Sequence, residues 1–241
     1  MFRIILIIQA RMGSTRLPGK TILPLAGEPL LSRIIERLHR CRKLSDIVLA
    51  IPDSTENDVL AEIAAQNNTE CFRGAEDDLV ERYYQTASYM QADFVVRFPA
   101  DNPIPEPSEI DRIIDHHLEL KRPGFSTNIQ QIYQSGYPNG VGAEIFDFHL
   151  LEEVRKSSLT ASQREHIHLN FFNYENETSV NSKWCPVSTV ICPEQIKSPS
   201  LCLDVNTQLQ YEFISRIYDN LYLNNKYFTV EDVIKFLNSN C

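Results

Sequence analysis

Apolar runs of strand length alternate with longer segments of helical period four times in the first 120 residues. The runs at 3–9, 46–52, 69–73 and 93–101 are rich in aliphatic and aromatic residues and read as strands. Between and after them, 29–41 sets Leu30, Leu31, Ile34, Ile35 and Leu38 on one helical face. The segment 55–67 opens with Thr55 and Asp58 in an N-cap and first-turn arrangement, and 76–90 and 107–120 complete the helices. Strands joined through helices pair in parallel, and the helices then cover both faces of the sheet. This pattern predicts an α/β fold, Rossmann-like and doubly wound, with a mostly parallel sheet.

The second half is less regular. Residues 135–142 carry loop chemistry, 143–154 read as a strand entering a helix, and 160–172 as a helix with Ser162 near its start. Strands are expected at 186–192 and 200–205, and closing helices at 208–222 and 229–240. No internal repeat or low-complexity linker breaks the 241 residues, so one domain over 1–241 is expected, with a small inserted excursion at approximately 125–185.

Composition narrows the function. Acidic residues outnumber basic ones by 32 to 23, a formal charge of -9, which argues against a nucleic-acid partner: nothing broad neutralises a phosphate backbone. The longest aliphatic run, 4–8, is too short to cross a bilayer, and no secretory leader pattern is present. No membrane partner and a cytoplasmic location are expected. The six cysteines, at 41, 71, 185, 192, 202 and 241, form no CxxC pair and have no histidines at ligand spacing, so they read as reduced, mostly small core residues.

The stretch QARMGSTRLPGKT, 9–21, follows the first strand. A phosphate-cradling P-loop places four residues between its first glycine and the Gly-Lys pair, whereas Gly13 and Gly19 enclose five, one of them Pro18. Proline offers no N–H to a phosphate. No GxGxxG follows the strand either, which removes a dinucleotide-dependent dehydrogenase. What remains is a bend at the carboxyl end of a strand, where open α/β sheets bind ligands, carrying Arg11, Arg16 and Lys20. Three cations on one bend of an acidic chain point to a polyphosphate.

The block IIQARMGSTRLPGKTILPLAGEPLL, 7–31, closely resembles the amino-terminal signature of the cytidylyltransferases that make CMP-activated acidic sugars, above all the spore coat polysaccharide (SpsF) type. The segments 72–84, 93–111, 137–148 and 164–167 resemble the corresponding parts of that family in the same order. The resemblance implies a nucleotide-diphospho-sugar transferase type of fold, and a reaction in which a sugar hydroxyl, usually the anomeric one of a 3-deoxy-2-ulosonic acid, attacks the α-phosphate of CTP and releases pyrophosphate with Mg²⁺ as cofactor. It implies that Arg11, Arg16 and Lys20 hold the triphosphate, with Ala10, Gly13 and Ser14 giving close backbone approach. It also implies that the excursion serves the acceptor pocket and a homodimer contact.

Displacement at phosphorus requires charge neutralised on the triphosphate, and Mg²⁺ is held by one or two carboxylates plus phosphate oxygens. Asp101 and Asp204 close the strands 93–101 and 200–205, and the resemblance makes both metal ligands, with Asp101 catalytic beside Arg11, Arg16 and Lys20. Arg73, Asp78 and Arg82 are base or ribose contacts by the same resemblance; as local chemistry they equally read as a helix N-terminus with an Asp78–Arg82 surface pair. Asn139, Glu144, Arg164 and His166 are expected at the acceptor, where an imidazole has the right range to help deprotonate a hydroxyl; a satisfied structural histidine is the plainer reading. Two rivals stay open: a nucleotidyltransferase acting on a sugar phosphate or phosphonate, and a non-catalytic CTP-binding homologue, which binds without releasing pyrophosphate.

Overall fold

A computed structural model describes residues 2–129, 132–180 and 185–239. Its centre is a seven-stranded sheet built from β1 (Ile4–Gln9), β2 (Asp46–Pro52), β3 (Glu70–Gly74), β4 (Phe94–Pro99), β5 (Phe125–Thr127), β6 (Glu144–Asp147) and β7 (Val187–Ser188), in the order β7-β5-β6-β4-β1-β2-β3. β1 pairs in parallel with both β2 and β4, β2 with β3, and β5 with β7; β6 runs antiparallel to β4 and β5. One reversed strand in an otherwise parallel sheet is the mostly parallel architecture that the alternation predicts.

The unbroken aliphatic run of β1 follows from its place. A central strand is buried on both faces, so period-2 alternation between apolar and polar disappears. Ile4, Leu6 and Ile8 enter one core, against α1 (Leu30–Leu38), α2 (Asp58–Gln66), α4 (Pro107–Glu119), α7 (Gln208–Leu221) and α8 (Val230–Ser239). Ile5 and Ile7 enter the opposite core, against α3 (Leu79–Tyr89) and α5 (Phe148–Lys156), where Phe125, Phe146 and Phe171 stack. Helices therefore lie on both faces.

The chain leaves β1 toward β2 and β3 and then returns to lay β4 on the other side of β1. That reversal opens a crevice beyond the carboxyl ends of β1 and β4. Gln9 stands in register with Pro99, and Ala100 N–H donates to Gln9 O at 3.0 Å, so the segments after both strands leave the sheet side by side.

Several local expectations change. The 160–172 segment splits into α6 (Ala161–Glu165) and a 3₁₀ turn at Ile167–Asn170. Thr160 caps α6, in a capping box with Gln163, and Ser162 stands in its first turn. Residues 55–57 form a 3₁₀ turn ahead of α2. The expected strand at 186–192 shortens to Val187–Ser188. The one at 200–205 reduces to a single parallel bridge, Asn139 with Cys202. Residues 130, 131 and 181–184 of the expected excursion, residue 240 of the last helix, and Cys241 lie outside the described residues.

Candidate active site

The bend after β1 is a tight loop pinned by its own backbone. Gly19 sits at φ 67°, a left-handed conformation glycine adopts without strain, and its N–H donates to Met12 O at 3.3 Å. Met12 N–H in turn donates to Asn57 Oδ1 at 2.9 Å, anchoring the bend to the turn ahead of α2. Lys20 opens a 3₁₀ turn, and its ammonium leaves the bend for the segment beyond β4, β1's neighbour in the sheet.

There it meets three acceptors. Lys20 Nζ donates to Asp101 Oδ2 at 3.1 Å, to Val205 O at 2.8 Å and to Asn206 Oδ1 at 3.1 Å. Arg16 donates to the same Asn206 Oδ1 at 2.8 Å. The segment carrying Asp204 is brought in by backbone pairing: Val205 N–H donates to Asp101 O at 2.7 Å, and Asn139 exchanges hydrogen bonds with Leu201 and Leu203. Gly140, at φ 85°, makes that approach possible, since a Cβ there would stand 3.0 Å from Asp204 N and 3.1 Å from Leu203 C. Asp101 and Asp204, 103 positions apart in the chain, thus border one crevice.

A cavity of about 780 Å³ opens here, lined among others by Ala10, Arg11, Ser14, Arg16, Lys20, Arg82, Asp101, Asn139, Arg164, His166 and Asp204. Eleven of the expected site residues share it. Four do not line it. Arg73 is turned to Asp58 and Ser54 O. Gly13 lies outside the lining, beside Glu56. Asp78 caps α3 by accepting from Glu81 N–H at 2.9 Å and pairs with Arg164; the alternative Asp78–Arg82 surface pair is not made. Arg82 is 4% exposed, donates to Ala75 O, and has its pKa pushed down to about 10 by burial.

Glu144 is fully buried beneath the cavity. It pairs across β4 and β6 with Arg97 at 2.6 Å and accepts from Tyr174 Oη at 3.1 Å. Arg97, which does line the cavity, is also held by Gln9 Oε1 at 3.0 Å, an oxygen that accepts from Tyr83 Oη as well. Burial works against charge on Arg97, but Glu144 keeps its guanidinium protonated. His168 lines the cavity close by: its ring stands edge-on to Tyr174, Nδ1 is buried with no hydrogen-bond partner among the described residues, and burial pushes its pKa down to about 4. It is therefore neutral near pH 7.

Sequence reasoning missed Arg97. Arg97 carried a signal, a lone charge inside the apolar strand run FVVRFP, where a buried arginine must have a buried partner. His168 was legible as one of a polar cluster with Arg164, Glu165 and His166, though with no role of its own.

The site has features that suit a divalent cation on a triphosphate. Asp204 Oδ1 is buried and has no hydrogen-bond partner among the described residues, although Oδ2 accepts from Asn206 Nδ2 at 2.6 Å. No group of three or more histidine, cysteine, aspartate or glutamate side chains arranged to hold a metal occurs among the described residues. Two carboxylates without a full cage match Mg²⁺ completed by phosphate oxygens and water, and do not match a structural zinc site.

Residues 5–231 match the family model described as cytidylyltransferase. The chain belongs to the cytidylyltransferase family. It is thus a nucleotidyltransferase, the class that the block 7–31 implied. SpsF of Bacillus subtilis, a spore coat polysaccharide biosynthesis protein, is 28% identical over 220 residues, 89% of this chain and 86% of that protein. A structure of a cytidylyltransferase from Leptospira borgpetersenii serovar Hardjo-bovis superposes with a TM-score of 0.87 at 29% identity, covering 100% of this chain and 95% of that one. A CMP:2-keto-3-deoxy-manno-octonic acid synthetase complexed with CTP shares the fold, with a TM-score of 0.65 at 16% identity over 90% of this chain and 98% of that one. Among the described residues no helix is long and apolar enough to cross a membrane.

Proposed function

We propose that the protein transfers CMP from CTP to an acidic sugar of the 3-deoxy-2-ulosonic type, releasing pyrophosphate and requiring Mg²⁺. The observation that carries this reading is the convergence of Lys20 and Arg16 on the segments that carry Asp101 and Asp204 within one 780 Å³ cavity. Cations and carboxylates interleaved at strand ends suit a bound triphosphate with its metal. The family and the CTP complex of a same-fold synthetase support cytosine as its base.

Each residue then has a task. Arg16 and Lys20 neutralise the β- and γ-phosphates and the charge that builds on the departing bridging oxygen. Arg11, tied at 3.0 Å to Glu165 in a half-exposed ion pair worth little in water, is free to turn to phosphate. Asp101 and Asp204 are the residues that would hold Mg²⁺, which when bound withdraws charge from the α-phosphate. Asn139, Arg164 and His166 face the acceptor, and Glu144 acts there only by fixing Arg97. The hydroxyl oxygen forms its bond to the α-phosphorus as the bond from that phosphorus to the bridging oxygen breaks. The electron pair leaves with pyrophosphate, and the hydroxyl proton passes to His166. No covalent enzyme intermediate is required.

The acceptor is a carboxylate rather than a phosphate dianion because the other nearby cations are largely committed: Arg97 to Glu144 and Arg164 to Asp78. The protein acts in the cytoplasm as a homodimer, with the 125–185 segment supplying the acceptor side and the contact. Incubation with CTP, Mg²⁺ and a panel of 3-deoxy-2-ulosonic acids, read as pyrophosphate release, tests the proposal. Turnover of at least one acid is expected. CTP binding without pyrophosphate release on any acid favours a non-catalytic nucleotide-binding role, and no CTP binding rejects the reading altogether.

A further inference from the structure

One side chain is bonded to three of the groups assigned above and has itself been given no role. Asn206 Oδ1 accepts from Lys20 Nζ at 3.1 Å and from Arg16 at 2.8 Å, while Asn206 Nδ2 donates to Asp204 Oδ2 at 2.6 Å. The amide's orientation is fixed by charge. Reversed, it would set N–H groups against two cations and an oxygen against a carboxylate. Asn206 is in turn fixed from behind, its backbone N–H donating to Gln210 Oε1 at 2.9 Å on the first turn of α7, itself capped by Thr207.

We infer that Asn206 is a positioning residue for nucleotide and metal: its oxygen gathers the two cations that meet the triphosphate, and its amide nitrogen holds Asp204 by one oxygen so that the other faces the cation site. The inference rests on the nucleotide-and-metal reading proposed above. An amide suits this place better than its neighbours in chemistry. Leucine would satisfy neither side, and aspartate would still accept from Lys20 and Arg16 but would confront Asp204 with a like charge. The unpartnered Asp204 Oδ1 is the independent mark of the arrangement. A carboxylate whose second oxygen is already satisfied presents a single oriented ligand atom, and the hydrogen bond from Asn206 is what orients it.

The test needs no acceptor. Nonhydrolysable α,β-methylene-CTP is titrated calorimetrically into the wild-type protein, Asn206→Leu and Asn206→Asp, with and without Mn²⁺, and thermal unfolding is recorded for each. Asn206→Leu, losing both charge-assisted contacts to the cations, is expected to bind the analogue about tenfold more weakly with its unfolding midpoint unchanged. Asn206→Asp keeps those contacts. Its metal-free affinity is expected within about threefold of wild type, while free Mn²⁺ binds it less tightly than wild type, because the amide that orients Asp204 is gone and a like charge stands against Asp204 Oδ2. A purely structural role would lower the midpoint and leave the folded protein's affinities alone. Wild-type affinity in Asn206→Leu, or equal loss in both variants without metal, overturns the inference while the proposed function stands. If Asn206→Leu does not fold, Asn206→Asp decides: Mn²⁺ binding as tight as in the wild type, or tighter, overturns it. Failure of the wild-type protein to bind the analogue at all overturns the proposed function and this inference with it.

Discussion

Removing Glu144 should unfold the protein far more readily than its distance from the nucleotide suggests. The Glu144 side chain is 0% exposed, its partner Arg97 is 8% exposed, and they meet at 2.6 Å across β4 and β6. Glu144→Ala leaves the guanidinium in an apolar strand with only Gln9 as neutral acceptor, and strips Tyr174 Oη of its partner. Breaking a buried pair by deleting one member costs about 3–5 kcal/mol, because the survivor stays desolvated. For a chain of this size that corresponds to a fall of roughly 6–20 °C in the unfolding midpoint. Glu144→Gln, which keeps an acceptor but not the charge, should lose less. Guanidinium unfolding followed by circular dichroism measures both. A loss below about 1 kcal/mol for Glu144→Ala would show that solvent reaches the pair, and would refute the claim that Glu144 works from beneath the cavity by fixing Arg97.

Three further outcomes follow from the same geometry. Asp101→Asn should lower pyrophosphate release by about a hundredfold or more while moving stability by less than about 0.5 kcal/mol, since the side chain is part-exposed and supports no core; an unchanged rate removes Asp101 from the chemistry. His168 takes a proton near 6.5 when unfolded and near 4 when folded, so the unfolded state binds more protons between those values. Stability is therefore full above about 6.5 and falls as acid is added down to about 4, by at most roughly 3 kcal/mol, and a pH series of urea melts on His168→Gln should be flatter by that amount. Gly142→Ala should destabilise by about 1–3 kcal/mol or more, read by thermal unfolding, because the new Cβ would overlap Asn128 Oδ1, which accepts from Ala143 N–H in the buried turn before β6.

How much was legible in the sequence divides along the line between local and long-range physics. The parallel strands β1 to β4 announce themselves through periodicity, while the three-residue β5 does not: β1 needs apolar residues on both faces, and IILII supplies them. The bend 9–21 was readable because its charges, glycines and position after a strand coincide within a few residues. Asp101 and Asp204 were readable as strand ends, yet the segment 200–205 pairs through only one bridge, so the reason it reaches Asp101 is a backbone contact at Val205 that no periodicity encodes. Arg73's partner was hidden for the same reason: on sequence it lies beside the acidic start of α3, but its guanidinium meets Asp58, on α2. Arg97 and Glu144 have meaning only once β6 is seen to run antiparallel to β4 and bring them into register.

The most direct test of the central claim is a co-crystal with α,β-methylene-CTP and Mn²⁺, using the anomalous signal to locate the metal. The predicted result is a Mn²⁺ peak at coordination distance from Asp101 and from Asp204 Oδ1, with the triphosphate against Arg16 and Lys20. A triphosphate seated away from the bend, or a metal peak on neither carboxylate, would contradict it.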